Sequence, residues 1–239
     1  NWLRLFNPYK SKKMKKLVTL LVAVIVVVAC NETKKSDGEA QAAMIQSAKE
    51  KESDTVENLK STVVFNANLA TEAELASLGL SEELVAKIIL KRPFMSMLDL
   101  DAMMDPTTKE VVYQNLFVPF NLNTTAEKDF KMIPGVGDRM AHEFEEYRPY
   151  TSIKQFKREM AKYVDENEIS RYLNYVFVPV ELNTTAEDDI KSLPGLGKRM
   201  THEFMEYRPY KNLEQFRKEI GKYVDAKELQ RLERLVYLK

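Results

Sequence analysis

The amino-acid sequence predicts an all-α fold: three tandem units of about four short helices each, joined into a semi-rigid array. Three observations predict it. Glycine is scarce, with 7 Gly and 9 Pro among 239 residues, which excludes a collagen-like chain and disfavours a turn-rich β-sandwich. The sequence also repeats with a period of 60, because Asn123-Thr124-Thr125-Ala126-Glu127 returns as Asn183-Thr184-Thr185-Ala186-Glu187, and Glu146-Tyr147-Arg148-Pro149-Tyr150 returns as Glu206-Tyr207-Arg208-Pro209-Tyr210. Within each period, apolar residues recur three and four apart behind small polar residues suited to helix N-termini.

The first plausible initiator is Met14, so residues 1 to 13 are read as upstream, non-native sequence and set aside. Lys15-Lys16, the mainly apolar run Leu17 to Val28 and then Ala29-Cys30 have the order of a signal peptide over residues 14 to 29. Twelve residues from Leu17 to Val28 reach about 18 Å as a helix, against a hydrocarbon core of about 30 Å, which disfavours a permanent span. Val27-Val28-Ala29-Cys30 resembles the lipobox of bacterial lipoproteins, with Val27 where that family more often carries leucine. The resemblance implies that Cys30 is lipidated and anchors the protein to a membrane of the bacterial cell envelope. Residues 30 to 61 are polar and charge-mixed, with an Ala-rich stretch from Ala40 to Ala48, and read as a tether.

The units span residues 62 to 120, 121 to 180 and 181 to 239. The first is diverged: it opens at Asn66-Ala67-Asn68, carries Arg92-Pro93-Phe94 and closes at Phe117-Val118-Pro119, which matches Phe177-Val178-Pro179. In the second, Thr124 to Glu127 has capping-box spacing before a short helix bearing Phe130 and Ile133. Pro134-Gly135-Val136-Gly137 stops that helix, and another runs from about Asp138 to Tyr147 with Met140 and Phe144 on one face. Ser152, three before Gln155, opens a helix burying Ile153, Phe156 and Met160; Asp165, three before Glu168, opens the last, holding Ile169, Leu173 and Val176. Phe144, Tyr147, Tyr150, Phe156, Tyr163 and Tyr175 are expected in the core and between units. The joins, such as Phe177-Val178-Pro179-Val180, are short and apolar, so a semi-rigid rod is expected.

The run from Asn183-Thr184 through Leu193-Pro194-Gly195-Leu196-Gly197 to Tyr207-Arg208-Pro209 resembles the helix-hairpin-helix domain of ComEA-like competence DNA receptors, and the resemblance covers all three units. It implies non-sequence-specific binding of double-stranded DNA, in DNA uptake, through hairpin backbone amides that meet phosphates. Two glycines let the backbone turn sharply and admit a phosphate oxygen, and the following helix N-terminus adds partial positive charge. The residues so implicated are Gly195, Leu196, Gly197, Lys198 and Arg199, followed by Gly135, Val136, Gly137 and Arg139. Asp138 beside the second hairpin works against an anion. In the first unit Leu78-Gly79-Leu80-Ser81 has lost the proline and one glycine, and Glu82-Glu83 follow. The second turn of each unit, Tyr163-Val164-Asp165, Tyr223-Val224-Asp225 or Met104-Asp105-Pro106, carries no glycine and reads as structural.

Charge grades the units. Basic and acidic residues number 4 and 8 in residues 61 to 120, 9 and 10 in 121 to 180, and 12 and 11 in 181 to 239. Phosphate neutralisation supplies most non-specific affinity, so weak binding centred on the third unit is expected. The alternative is a protein-docking or structural array that has lost DNA binding, with a protein partner in the envelope; an extrinsic photosystem II subunit on a related fold binds protein. An enzyme is not expected, and no cofactor or metal is implied. DNA glycosylases share the hairpin but pair it with a catalytic aspartate in a larger domain, whereas repeats use up this chain. His142 and His202 stand beside Glu143 and Glu203, Ala86 replaces them in the first unit, and they read as solvated helix residues. The single cysteine excludes a disulfide scaffold.

Overall fold

A free amide at a helix start needs a partner, and in this chain a small polar side chain repeatedly provides it. The computed structural model describes residues 63–239, so the expected signal, Cys30 and the tether lie outside the described residues. Thr71 opens α1 (Glu72–Ser77) with a reciprocal bond from Glu74, and the Ser81 hydroxyl accepts from Leu84 N at the start of α2 (Glu82–Lys91). Next come α3 (Met97–Asp101) and α4 (Pro106–Val112), the latter capped by Asp105 with proline in its first turn. The following stretch holds α5 (Glu127–Phe130), α6 (Asp138–Glu146), α7 (Ile153–Met160) and α8 (Glu166–Tyr172); Ser152 and Asp165 cap the last two, as their spacing predicts. The last holds α9 (Glu187–Lys191), α10 (Lys198–Glu206), α11 (Leu213–Ile220) and α12 (Ala226–Glu233), with Asn212 and Asp225 as caps.

The described region is therefore mostly helical, with one correction to the all-α expectation. Six two-residue strands occur among the described residues: β1 (Phe65–Asn66), β2 (Leu116–Phe117), β3 (Phe120–Asn121), β4 (Val176–Phe177), β5 (Val180–Glu181) and β6 (Val236–Tyr237). They pair in parallel as β1/β2, β3/β4 and β5/β6, so each pair clamps the two ends of a four-helix stretch. The apolar joins are thus half strand, and their alternating backbone groups are used in these ladders.

A second correction concerns α5. Thr124 is not its cap: Ala126 takes that place without a side-chain bond, and Ile133 is buried beyond the helix end. The reason is local competition for the backbone. Thr124 N and Thr125 N both donate to Asn121 O, and Thr125 O accepts from the Arg148 guanidinium.

Helices of four to ten residues cannot stand alone in water, and side-chain clasps hold them here. Asn183 Nδ2 donates to Tyr210 O at 2.9 Å while Tyr210 N donates to Asn183 Oδ1 at 2.7 Å. Asn123 does the same with Tyr150, and Asn68 with Phe94. The arginine just upstream completes the clasp. Arg92 Nε and Nη2 each lie 2.7 Å from their acceptors, Ala67 O and Ala70 O, Arg148 donates to Leu122 O and Thr125 O, and Arg208 Nη2 reaches Thr185 O at 2.9 Å. Each Arg-Pro bond here is cis. The repeated Asn and Arg-Pro-aromatic motifs are therefore the chain's internal fasteners.

Inside, rings meet edge to face. Phe120, Phe130, Phe144 and Tyr172 follow one another with centroids 5.8, 5.3 and 5.1 Å apart, and Phe204 meets Phe216 at 5.2 Å. Phe117 packs on Phe120 and Tyr175, which runs one core through the first two stretches. Phe144, Tyr150, Phe156 and Tyr175 are buried as expected. Tyr147 and Tyr163 are only half-buried.

The stretches do not string out as a rod. Leu69 reaches Gly195, Lys227 Nζ donates to Leu90 O at 3.4 Å, and Arg234 donates to Pro119 O while stacking 5.1 Å from the Phe177 ring centroid. Burial pushes the Arg234 guanidinium down to about 10, with Arg231 adding repulsion. The third stretch thus folds back on the first, where Lys227 of α12 and Arg234 at its end meet carbonyl oxygens.

Asn68 is buried and Asn183 half-exposed, so truncating the former strands more backbone away from water. Asn68→Ala should cost about 2–4 kcal/mol in urea denaturation and Asn183→Ala about 1–2 kcal/mol.

Candidate nucleic-acid interface

Three turns of the same kind precede α2, α6 and α10. In each, one glycine has a left-handed backbone: Gly79 at φ 75°, Gly135 at 78° and Gly195 at 69°. This is where glycine is required. The other glycine of each implicated pair is different. Gly137 (φ −94°) and Gly197 (φ −71°) are the N-caps of α6 and α10, in conformations any residue adopts, and a Cβ added at either would meet nothing within 4 Å. Ser81 occupies the same place before α2. The two glycines of each implicated pair thus divide into one that makes the turn and one that leaves a gap.

The gap has an electrostatic consequence. Thr201 N donates to Gly197 O, the first backbone bond of α10, and Ala141 N to Gly137 O does the same in α6. The amides of residues 198–200 and 138–140 precede those bonds and have no intrahelical acceptor. Neither cap carries a side chain to take one of them up. Before α2, by contrast, the Ser81 hydroxyl accepts from Leu84 N at 3.3 Å. The ends of α6 and α10 are open to an external anion, whereas at α2 a side chain already takes up one of the three amides.

Leu196 and Val136 turn out differently from the expectation. Leu196 N donates to Leu193 O and Val136 N to Ile133 O, and both side chains are buried. They anchor the turn, and their amides are spent inside it. Arginines brace its carbonyl side: Arg231 Nη1 donates to Pro194 O at 2.7 Å while its guanidinium grips Glu228, and Arg171, likewise paired with Glu168, lies 3.3 Å from where a Gly135 Cβ would stand. A Cβ at Gly195 would also overlap Leu69 Cδ1. Sequence reasoning missed Arg171, Arg231 and Leu69. The two arginines occupy matching repeat positions, which was the available signal; for Leu69 there was none.

The flanking charges sort the three turns. Lys198 and Arg199 are exposed and take part in no ion pair among the described residues. Arg199 instead lies with its guanidinium carbon 5.4 Å from the Tyr223 ring centroid, and Arg139 lies 5.5 Å from that of Tyr163. Asp138, the expected obstacle, is paired with Lys131 at 2.8 Å, and that lysine holds its carboxyl below the usual range. Glu82 and Glu83 flank the turn before α2. His142 faces Glu127 at 3.3 Å, which raises its affinity for a proton, and His202 faces Glu206 at 3.2 Å; both are exposed helix residues.

Among the described residues, no group of three or more His, Cys, Asp or Glu side chains is placed to hold a metal ion, and no helix is long and apolar enough to cross a membrane. No protein-family model, no curated protein and no solved structure matches this chain.

The two glycines of one turn should respond oppositely to a methyl group. Gly195→Ala, with left-handed backbone and Leu69 in the way, should cost about 1–3 kcal/mol, whereas Gly197→Ala should stay within about 1 kcal/mol of the parent. Chemical denaturation of the two variants measures the difference.

Proposed function

We propose that residues 62–239 form three tandem helix-hairpin-helix units and that the protein binds double-stranded DNA without sequence preference, as DNA uptake would require. The observation that carries this reading is the pair of cap glycines, Gly137 and Gly197, which neither the backbone conformation nor the packing of this chain requires. Such a glycine leaves a helix N-terminus bare and lets a phosphate oxygen come close. Backbone amides read phosphates and carry no base information, so the binding is sequence-tolerant. Gly195, Gly197, Lys198 and Arg199 form the principal contact, Gly135, Gly137 and Arg139 the second, with Leu196 and Val136 as their internal anchors. The first turn, where Ser81 takes up one amide and Glu82 and Glu83 flank the rest, contributes little. The reading includes no catalytic step and no cofactor.

We further propose that Cys30 is lipidated and holds this binding region at the bacterial cell envelope. Support comes from the order of charged, apolar and small residues between Met14 and Cys30. Cys30→Ser should abolish acylation and release the protein from membranes, read by fatty-acid labelling and fractionation.

A docking role for the first unit is a second reading with its own observation. The exposed large apolar residues Val63, Leu69, Ile89, Leu90, Met95 and Leu98 all lie in it, and Leu90 is 79% exposed. That unit is also the acidic one. The two readings are compatible, since they use different turns.

Duplex binding should weaken with salt along a log–log slope of about −3 if three phosphates are neutralised. Gly197→Ser should leave stability unchanged or raise it by a few tenths of a kcal/mol, as serine suits an N-cap, yet weaken duplex binding by closing the amides. Paired Lys198→Glu and Arg199→Glu should weaken it more while leaving helicity intact. Anisotropy titrations with random-sequence duplex, beside circular dichroism, read both; unchanged binding in both would leave the docking role alone standing.

A further inference from the structure

Two half-buried tyrosines sit under each open turn, and nothing in the reading above uses them. In the third unit the Tyr207 and Tyr223 hydroxyls share a hydrogen bond of 2.7 Å, Arg199 lies over the Tyr223 ring, and Lys222 Nζ lies 5.1 Å from the Tyr207 ring centroid. The second unit repeats the set: Tyr147 and Tyr163 hydroxyls 2.6 Å apart, Arg139 over Tyr163, and Lys162 4.5 Å from the Tyr147 ring centroid. Behind each pair stands a glutamate, Glu203 or Glu143, whose carboxylate faces the Tyr223 or Tyr163 hydroxyl. In the first unit no tyrosine occurs between residues 63 and 104, and Glu83 stands at the place of Arg139 and Arg199. Tyrosine pair, stacked arginine and open glycine cap therefore occur together or not at all.

We propose that the Tyr223 ring, and in parallel the Tyr163 ring, positions the neighbouring arginine for phosphate contact beside the uncapped helix end. Arg199 sits in the first turn of α10, next to the bare amides. An unheld arginine there would sample many rotamers and lose that freedom on binding. A carboxylate partner would hold it but cancel the charge that the phosphate needs. An aromatic face holds the guanidinium plane and leaves both its charge and its edge donors available. The half-buried packing of Tyr223 holds the ring, and the hydroxyl bond to Tyr207 adds an anchor at its tip. The contrast within one array is direct: Lys222 is tied to Glu219, whereas among the described residues Arg199 has the ring alone. Tyr223 is a positioning residue in this scheme and touches no nucleic acid.

This inference rests on the duplex-binding reading and is tested beside it. Random-sequence duplex is titrated at several salt concentrations against the protein and its variants. Tyr223→Leu should weaken binding about three- to tenfold and reduce the salt slope by about 0.9, the value of one phosphate contact. Tyr223→Phe keeps the ring and should keep the slope. Combining Tyr223→Leu with Arg199→Gln should lower the slope no further than Arg199→Gln alone. Equal loss of slope in the Phe and Leu variants, or an unchanged slope in both, overturns the proposal. If Tyr223→Leu fails to fold, the unaltered protein still answers: the Arg199 side-chain protons should be shifted upfield by the ring in NMR spectra, and ordinary shifts overturn the proposal. Duplex binding that needs Arg199 but not the ring defeats this role alone, whereas a protein that binds no duplex defeats the underlying reading too.

Discussion

An asparagine side chain that pairs with the backbone of an aromatic residue 26 or 27 positions later holds together the halves of each four-helix stretch. None of the helices is long enough to persist alone, so their packing must be imposed from outside each helix. The carboxamide does this as a two-pronged strand mimic, accepting from one amide and donating to one carbonyl. The arginine two residues before that aromatic then ties down the carbonyls of the entering turn. With entry and midpoint joined, the hairpin between them is a closed loop whose ends cannot drift. The open amides of α6 and α10 depend on that closure for their direction.

Seen from the hairpin outward, the turn divides its polar groups by destination. In one stretch the Pro194 carbonyl accepts from the buried Arg231 guanidinium, and in another the half-buried Arg171 guanidinium stands beside Gly135. The amide of the middle residue is used inside the turn. Only the helix-end amides remain, and they face the side where Lys198 and Arg199 stand. An anion approaching from that side meets donors and positive charge, while the negative ends of the turn's own dipoles are already neutralised. The segregation is built from ordinary structural bonds within the turn and its neighbours.

Much of the helical plan was legible in the residues, because capping is local chemistry. Ser152 and Asp165 open α7 and α8 from three-residue spacing alone. Thr124 misled because its neighbour's carbonyl is drawn into the Arg148 clasp, a contact between residues more than twenty apart that no window reports. The strands escaped for a related reason: two residues of Val-Phe or Phe-Asn carry no periodicity, and only the pairing of distant joins makes them strands. In the candidate site, the charges and the glycines were visible, but their division of labour was not. Left-handed Gly195 and ordinary Gly197 look alike in a sequence, and only the backbone angle separates them. The tyrosines look like core until their hydroxyls and the cations over them are seen.

The contact of Leu69 with Gly195, together with Lys227 on Leu90 O and Arg234 on Pro119 O, brings the ends of the series against each other. In an open solenoid each repeat touches only its neighbours, and stability adds up along a line. Here the first and third stretches touch as well, so the stretches are not interchangeable in assembly. A further stretch could not simply be appended, and a single stretch cut out at Pro119 or Pro179 would carry an unmatched seam on each cut face. What melts or is degraded is then the interlocked region as a whole, and not one stretch at a time.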